Sequence, residues 1–196
     1  MFSVNGYNVI ITGGSRGIGL ALAKGFSAAG ANVVVFDINP PEDKGNCRYF
    51  NCDLGNQDHI QAALNTLFSD GFTPKVLINC AAVTIPAPSH QYSDTDWRKS
   101  ISVNLDGVFT LCREVGKIMI DSGISGSIIN FTSIGAEQGF ANNPGYAATK
   151  GAVKQLTKAL AVEWGEYNIR VNNIVPGYTN TPMNSKSWND PLLKKQ

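Results

Sequence analysis

The sequence predicts an α/β fold in which helices cover both faces of a doubly wound parallel sheet. Short runs rich in β-branched residues alternate along the 196 residues with longer segments of helical periodicity. Several of these runs lack an alternation of apolar and polar residues, as is typical of strands buried on both faces. The length and an apolar content of 43% fit one globular domain, to which we assign residues 1–196.

Six strands and four helices are predicted. The strands are Tyr7–Thr12, Ala31–Asp37, Arg48–Cys52, Lys75–Asn79, Ser127–Thr132 and Ile169–Val175. The helices are Gly17–Ala29, Asn56–Ser69, Asp94–Ser122 and Gly145–Tyr167. Residues Ile38–Cys47 include two prolines and a glycine and show no helical period. We therefore expect a loop or a single turn between the second and third strands.

Apolar stripes and boundary residues define the helices. The stripes are Ile18, Leu22, Phe26 and Ala29 in the first helix, and Ile60, Ala63, Leu64, Leu67 and Phe68 in the second. These two helices end before Gly30 and Gly71, since glycine readily adopts the left-handed conformation that closes a helix. The third opens with Ser93 three residues before Asp96, a capping-box signature. The fourth follows Pro144, which suits a first turn.

Charge and cysteine content exclude several classes of protein. The formal net charge is +1 and no long basic run occurs, so we expect neither a nucleic acid partner nor a membrane. The four cysteines form no Cys-x-x-Cys pair, and with two histidines they predict no metal site. We interpret them as reduced thiols of a cytoplasmic protein. The first apolar run, Val9–Ile11, is too short for a signal peptide.

A glycine-rich turn joins the first strand to the first helix. Its sequence is Thr12-Gly13-Gly14-Ser15-Arg16-Gly17-Ile18-Gly19. Glycine allows a sharp turn, a close approach of backbone to a pyrophosphate, and tight packing of helix on strand. The helix N-terminus adds free N–H groups and a partial positive charge. A plain tight turn is the alternative, but the strand–turn–helix context favours dinucleotide binding.

Asp37, at the end of the second strand, bears on the choice of cofactor. A carboxylate there can accept both ribose hydroxyls of NAD while repelling the 2′-phosphate of NADP. Arg16 argues the other way, because a base in the glycine turn can pair with a 2′-phosphate. An aspartate that only caps a turn is a further alternative. We expect NAD, with NADP less favoured.

Tyr146 and Lys150 are spaced i and i+4, which places both side chains on one face of the last helix. A phenol ionises near pH ~10. We expect the Lys150 ammonium to lower that value so that Tyr146 can exchange a proton with an alcohol or a ketone. Ser133 follows the fifth strand, at the edge where such sheets bind ligands, and is expected to hydrogen-bond the reacting oxygen. A turn or capping serine is the alternative.

Asn104 places an amide on the apolar stripe of the third helix. That stripe continues through Val108, Leu111, Cys112 and Val115. A buried amide must be paired or it costs a few kcal/mol. A satisfied structural amide is therefore one interpretation of Asn104, and a role in the site is the other.

Together these motifs resemble those of the short-chain dehydrogenase/reductase family. The shared features are Thr12 with the Gly-x-x-x-Gly-x-Gly spacing, Ser133 thirteen residues before Tyr146, the Tyr-x-x-x-Lys motif, and Arg-Val-Asn…Pro-Gly in Arg170–Gly177. The match covers nearly the whole chain. The overall sequence pattern is similar to that of sugar, polyol and sugar-acid dehydrogenases, with gluconate dehydrogenases among them.

The resemblance implies a Rossmann-like sheet of strand order 3-2-1-4-5-6. It also implies interconversion of a secondary alcohol and a ketone with NAD(H), on a sugar, polyol or sugar acid. The catalytic residues would be Asn104, Ser133, Tyr146 and Lys150, with Asn104 holding a water that relays protons towards Lys150. Cofactor contacts would come from Gly13, Ser15, Arg16, Gly17, Ile18, Gly19, Asp37, Tyr146 and Lys150.

Further cofactor contacts follow from the resemblance. Asp53 and Leu54 are similar to the family's adenine-pocket pair, although a helix-entry aspartate is the alternative. Asn79 would brace the sheet, and Ala81 would leave room for the adenosine ribose. The sequence Asn79-Cys80-Ala81-Ala82 departs from the family's Asn-Asn-Ala-Gly at two of four positions.

The segment after the sixth strand would complete the cofactor site. Pro176 and Gly177 would face the nicotinamide. Thr181 would approach the amide of the nicotinamide or the phosphates of the cofactor. Thr179, where the family usually has isoleucine or valine, would contact the carboxamide through its backbone. The family continues into a substrate loop, further helices and a seventh strand. Gln196 would fall within that loop, so we expect the family's C-terminal part, with the seventh strand, to be missing here, in either a fragment or a truncated protein.

Two questions stay open at the level of sequence. The resemblance implies a homo-oligomer, a dimer or a tetramer, in which the two long helices pair across an axis. The apolar stripe of the last helix can serve that interface or the core of one chain; its members are Val153, Leu156, Leu160 and Trp164. A nucleotide-binding or sensing module without turnover is the alternative to an active enzyme, although intact Ser133, Tyr146 and Lys150 favour the enzyme.

Overall fold

The computed structural model describes residues 3–41, 43 and 45–184, which contain one six-stranded parallel sheet. The strands are β1 Asn8–Thr12, β2 Asn32–Asp37, β3 Arg48–Asn51, β4 Val76–Asn79, β5 Ser127–Phe131 and β6 Arg170–Ile174. Their order, β3-β2-β1-β4-β5-β6, confirms the predicted topology. The predicted strand ends differ from the observed ones by at most one residue. The expected substrate loop at the end of the sequence lies outside the described residues.

Helices cover both faces of the sheet. They are α1 Gly17–Ala28, α2 Gln57–Ser69, α3 Asp94–Ile101, α4 Gly107–Asp121 and α5 Pro144–Trp164. At the described positions between β2 and β3 the chain forms no helix, as expected. Across the described residues, none of the helices combines the length and apolarity needed to cross a membrane.

The predicted helix from Asp94 to Ser122 is present, but it contains a turn that the sequence did not predict. Residues Ser102–Asp106 form a π-helical turn between α3 and α4. Within this turn Asn104 is fully buried, and its side chain accepts from the Val83 N–H at 2.8 Å and donates to the Val83 carbonyl at 2.9 Å. A π turn holds more residues than an α turn, and such turns are frequent at functional sites. The π turn therefore occurs where the helix is hydrogen-bonded, through Asn104, to the segment that follows β4.

The stripe of α5 belongs to the core. Val153 is 1% exposed and Leu160 6%, and both belong to one buried cluster with residues of α2, α4 and the sheet. Trp164 lies against Gly116 of α4 so closely that a Cβ on the glycine would lie 2.6 Å from the indole ring. Of the two interpretations of this stripe, the structure therefore supports core packing. A second cluster on the other face of the sheet packs under α1.

A chain of buried polar side chains joins three strands to α5. Asn79 on β4 donates to Asn130 on β5 at 2.8 Å, and Asn130 donates to the Thr157 hydroxyl at 2.9 Å. The Thr157 hydroxyl lies 2.7 Å from the Asn173 side-chain oxygen on β6 and 2.8 Å from the Val153 carbonyl. Because buried polar groups are costly when unpaired, this network fixes where α5 sits on the sheet.

We predict that Thr157→Val lowers the free energy of unfolding by about 1–3 kcal/mol, because the Asn130 amide loses a buried partner. Urea denaturation followed by circular dichroism measures the change. Thr66→Val is the matched control, since the exposed Thr66 hydroxyl makes the same type of bond to the carbonyl four residues earlier, at 2.9 Å. The control should change stability by no more than about 0.5 kcal/mol. Equal effects of the two substitutions would contradict the proposed role of the network.

Candidate active site

The site lies at the carboxyl edge of the sheet, where β1 and β4 are neighbours and their connections diverge. The Thr12 hydroxyl accepts from the backbone N–H groups of Cys80 and Ala81, both at 3.0 Å. A Cβ on Gly13 would lie 2.7 Å from the Ala81 Cα atom. The end of β4 and the glycine turn are thus in direct contact, which requires glycine at position 13.

The glycine turn has the geometry of a phosphate cradle. Gly13 and Gly17 adopt positive φ angles of 68° and 56°. A Cβ on Gly19 would lie 2.1 Å from the Gly13 carbonyl oxygen, so α1 can pack here only without a side chain. The N-cap residue Arg16 makes no side-chain capping bond, and the first turn, which includes Ile18, contains no acidic residue. The N–H groups of the turn are therefore available to an anion, so this cradle fits a nucleotide phosphate.

The Asp37 carboxylate lies beside the cradle. One oxygen accepts from the backbone N–H of Ser15 and the other from that of Asn39, each at 3.0 Å. The Ser15 hydroxyl donates to the Asn39 carbonyl, so the glycine turn after β1 is joined to the loop after β2. Asp37 therefore caps a turn, as one interpretation of the sequence held. The same bonds hold its negative charge next to the cradle. Arg16 is exposed.

The structure brings Ser133, Tyr146 and Lys150 together at the end of β5. Lys150 is only 2% exposed, and its ammonium donates to the Phe131 carbonyl at 2.6 Å. The ammonium lies 5.6 Å from the centre of the Tyr146 ring. The Tyr146 phenol is hydrogen-bonded to Ser133, whose hydroxyl oxygen also accepts from the Gly135 N–H at 3.1 Å. Ser133 thus serves both its turn and the phenol.

The expected effect of Lys150 on the phenol is wrong for the protein alone. Burial raises the pKa of Tyr146, the bond with Ser133 lowers it, and the nearby Cys80 raises it. The Lys150 ammonium donates to the Phe131 carbonyl, and its charge does not offset the effect of burial on the phenol. Burial also lowers the pKa of Lys150 to about 8, so desolvation dominates both groups.

Asn104 connects α5 to the segment after β4. Besides its two bonds to Val83, its amide nitrogen lies 3.3 Å from the Thr149 hydroxyl. That hydroxyl donates to the Tyr146 carbonyl at 2.8 Å. The Asn104 side chain is therefore a satisfied buried amide, as one interpretation of the sequence held. A relay of protons through a water at Asn104 stays a prediction.

The other predicted residues after β3 and β4 have mainly structural contacts. Asp53 accepts from the Gly55 N–H at 2.8 Å, as a helix-entry aspartate does. The Leu54 side chain is buried in the core. Asn79 is 2% exposed and braces β4 against β5. Their contacts with a cofactor, and that of Ala81, stay predictions.

The segment after β6 passes over the glycine turn. The Ile134 N–H donates to the Pro176 carbonyl at 3.4 Å, which joins this segment to the loop after β5. A Cβ on Gly17 would lie 3.5 Å from the Thr181 side chain. Gly177 and Thr179 are exposed along the same segment. Residues 176–181 therefore lie near both the glycine turn and the loop after β5.

Sequence reasoning missed three contributors to the site. The Phe131 carbonyl binds Lys150, but a backbone acceptor leaves no signal in the residue type. Cys80 lies close enough to Tyr146 and Lys150 to influence the pKa of each. Burial raises the pKa of the Cys80 thiol itself to about 11. The Thr12 hydroxyl joins β1 to the end of β4, and its place at the head of the glycine motif was the available signal.

The chain matches a family model described as short chain dehydrogenase over residues 7–192. It belongs to the short-chain dehydrogenase family. This short-chain dehydrogenase is an oxidoreductase, and its family interconverts alcohols and ketones with nicotinamide cofactors. The six-stranded order and the resemblance to the gluconate and polyol branch are confirmed.

Two of the similar proteins come from that branch. The D-threitol dehydrogenase of Mycolicibacterium smegmatis is 33% identical over 207 residues, which cover 99% of this chain and 79% of the relative. The gluconate 5-dehydrogenase of Gluconobacter oxydans is 34% identical, with 95% and 76% covered.

Solved structures agree in fold and differ in cofactor. A 4-hydroxyisoleucine dehydrogenase complexed with NADH has a TM-score of 0.91 at 32% identity, with 95% of this chain and 79% of that chain covered. A Burkholderia cenocepacia gluconate 5-dehydrogenase in complex with NADP and tartrate has a TM-score of 0.89 at 33% identity, with 97% and 78% covered. Similarity alone therefore leaves the choice between NAD and NADP open.

We predict that the stability of the wild type rises relative to Lys150→Met as the pH increases from 7 to 10. The lysine pKa falls from 10.5 in the unfolded chain to about 8 in the native state. Between these values the unfolded chain binds more protons, so deprotonation favours the native state by at most about 1.4 kcal/mol per pH unit.

Urea titrations at a series of pH values measure this difference. Lys158→Met on the exposed side of α5 is the control, because an exposed ammonium carries no burial cost. A difference between wild type and Lys150→Met that stays constant over this range would show that Lys150 is not held in a desolvated position.

Proposed function

We propose that this protein interconverts a secondary alcohol and a ketone with NAD(H), on a sugar, a polyol or a sugar acid. The observation that carries the proposal is the grouping of a desolvated Lys150, a half-buried Tyr146 and Ser133 at the carboxyl edge of the sheet. This grouping lies on the same edge as the glycine turn. It supplies an acid/base group and a positioning hydroxyl where a dinucleotide cradle ends.

The residues at the glycine turn would hold the cofactor. The free N–H groups of the first turn of α1 would bind the pyrophosphate, with Gly13, Gly17 and Gly19 leaving room for it. When bound, the nicotinamide accepts hydride from the alcohol carbon or donates hydride to the ketone carbon. Lys150 would donate to the nicotinamide ribose, and residues 176–181 would cover the ring.

Tyr146 would act as the acid/base. In alcohol oxidation its phenolate oxygen takes the hydroxyl proton, and in ketone reduction its phenol returns a proton to the carbonyl oxygen. Ser133 donates to the same reacting oxygen and holds it in place. Because burial raises the pKa of the phenol in the protein alone, a further positive charge is needed to favour the phenolate. An oxidised nicotinamide would add such a charge.

Asn104 would complete the path of protons from Lys150. Its side chain is committed to Val83 and Thr149, which leaves its backbone carbonyl as the group that can hold a water. The π-helical turn alters the usual backbone bonding at this position, so a carbonyl can become free for that purpose.

Asp37 supports NAD over NADP. Its carboxylate is fixed beside the cradle by two backbone N–H groups, so the negative charge cannot easily move away from a 2′-phosphate.

The similarity to D-threitol and gluconate 5-dehydrogenases supports a polyhydroxylated substrate. We also propose a cytoplasmic homo-oligomer, a dimer or a tetramer, for which the exposed Phe109 and Val162 on the two long helices offer apolar surface.

We predict that Tyr146→Phe abolishes turnover, to below about 1% of the wild type, while NADH binding is retained. The loss follows because phenylalanine cannot exchange a proton. NADH absorbance with a panel of polyols and keto sugars measures turnover, and NADH fluorescence measures binding. Tyr167→Phe, at an exposed position after α5, is the control and should keep full activity. Tight NADH binding with no turnover by the wild type would favour a binding module instead.

We predict that Asp37→Asn raises the ratio of kcat/KM with NADPH to that with NADH by about tenfold or more, which corresponds to roughly 1.4 kcal/mol. The substitution removes the charge that faces a 2′-phosphate but keeps an acceptor for the turn. Steady-state kinetics with both cofactors measures the ratio. Asp58→Asn, in the first turn of α2, is the control for a general change of charge. An unchanged ratio in Asp37→Asn would contradict the assignment of NAD.

A further inference from the structure

Two aromatic side chains that neither the reaction nor the cofactor uses lie near the reacting serine. Phe140 belongs to the loop between β5 and α5, and Tyr178 follows Gly177 in the segment after β6. Their ring centres lie 6.4 Å apart, and the ring planes meet at 63°. Phe140 is half-buried, and Tyr178 is 65% exposed. Aromatic surface left open at a ligand-binding edge calls for a functional explanation.

The Phe140 ring lies close to the Ser133 hydroxyl. A Cβ on Gly135 would lie 3.0 Å from Cδ2 of Phe140 and 3.5 Å from Oγ of Ser133. The ring and the hydroxyl thus flank the same point, and the absence of a side chain at Gly135 lets them approach each other. The same hydroxyl is hydrogen-bonded to the Tyr146 phenol. When Ser133 and Tyr146 hold an oxygen of the substrate, the carbon atoms next to that oxygen are therefore within reach of the ring.

Tyr178 is joined to the same loop in two ways. The Ile134 N–H donates to the Pro176 carbonyl at 3.4 Å, two residues before Tyr178. The edge contact between the two rings adds a second link, and such contacts between aromatic rings are favourable. The rings therefore form two sides of a corner beside Ser133, which we call the aromatic corner (Phe140 and Tyr178).

The two segments that carry the aromatic corner offer no free charge to a substrate. Residues 133–143 contain one charged side chain, Glu137, and residues 176–184 contain none. The Glu137 carboxylate is paired with the Lys154 ammonium on α5 at 2.5 Å. A substrate carboxylate beside the corner would lose water without gaining a cation from these segments, which is unfavourable. The aromatic corner instead fits uncharged carbon atoms and their C–H groups.

We propose that the aromatic corner packs against the C–H face of a cyclic polyol or of a sugar in its ring form, while Ser133 and Tyr146 hold the reacting oxygen. The proposal rests on the proposed function, since it narrows the substrate class of the same site. A ring presents several C–H groups on one side, so it can contact an aromatic face without losing internal freedom. An open-chain polyol must first order its rotatable bonds, which costs free energy. The aromatic corner therefore favours rings over chains.

The test compares trans-cyclohexane-1,2-diol with butane-2,3-diol as substrates of the full chain, at saturating NAD. Both are neutral vicinal diols, and they differ in the ring. Phe140→Ala removes the aromatic face nearest to Ser133, so we expect the ratio of kcat/KM for the cyclic diol to that for the open-chain diol to fall about tenfold. Phe140→Tyr keeps the ring and should keep the ratio. Tyr167→Ala removes an exposed ring at the far end of α5 and is the control, which should also keep the ratio.

Three outcomes are distinguishable. A fall of the ratio in Phe140→Ala, with the ratio kept in Phe140→Tyr, supports the proposal. An unchanged ratio in Phe140→Ala, with or without an equal loss on both diols, means that Phe140 only packs against its loop, which overturns this inference and leaves the proposed function intact. A wild type that binds NADH but oxidises neither diol contradicts the proposed function, and the inference with it. NADH fluorescence checks that each variant is folded, and Phe140→Leu replaces Phe140→Ala if that variant fails to bind.

Discussion

The burial of the Lys150 ammonium is the constraint on which the reacting end of the molecule depends. A charged group with almost no contact with water needs a strong acceptor, and the Phe131 carbonyl provides it. This bond ties α5 to the end of β5, so Tyr146, one turn earlier, comes beside Ser133. The buried Asn130 and Thr157 hold the same helix to the same strand two turns farther on. The lysine therefore positions its neighbours before any ligand is bound.

The two halves of the site, the glycine turn that would hold the cofactor and the group around Lys150, are built by different means. The cofactor half consists largely of backbone, and it depends on the close approach that glycine permits at Gly13 and Gly19. The reacting half consists of side chains whose partners come from several elements. Substitutions in the first half act by steric exclusion, and those in the second act by leaving buried polar groups unpaired. The exposed surface of the same helices is free of both constraints.

Much of the fold was accessible from the sequence, because buried parallel strands and glycine-bounded helices carry strong local signals. Ser133, Tyr146 and Lys150 were accessible for the same reason, since their spacing follows from one strand and one helix. The π-helical turn was not, because the apolar stripe of the long helix runs through Asn104 without a break. The rise in the pKa of Tyr146 depends on burial, which residue types do not reveal.

The π-helical turn at Ser102–Asp106 holds one more residue than an α turn would. Deleting one residue there would let α3 and α4 continue as a single α-helix with little rotation between them, but it would shift Asn104 relative to its partners. Asn104 would then lose its paired bonds to Val83, and the helix would lose its link to the segment after β4. The stretch that looks most uniform in the sequence is thus where a single deletion would disconnect two elements of the site.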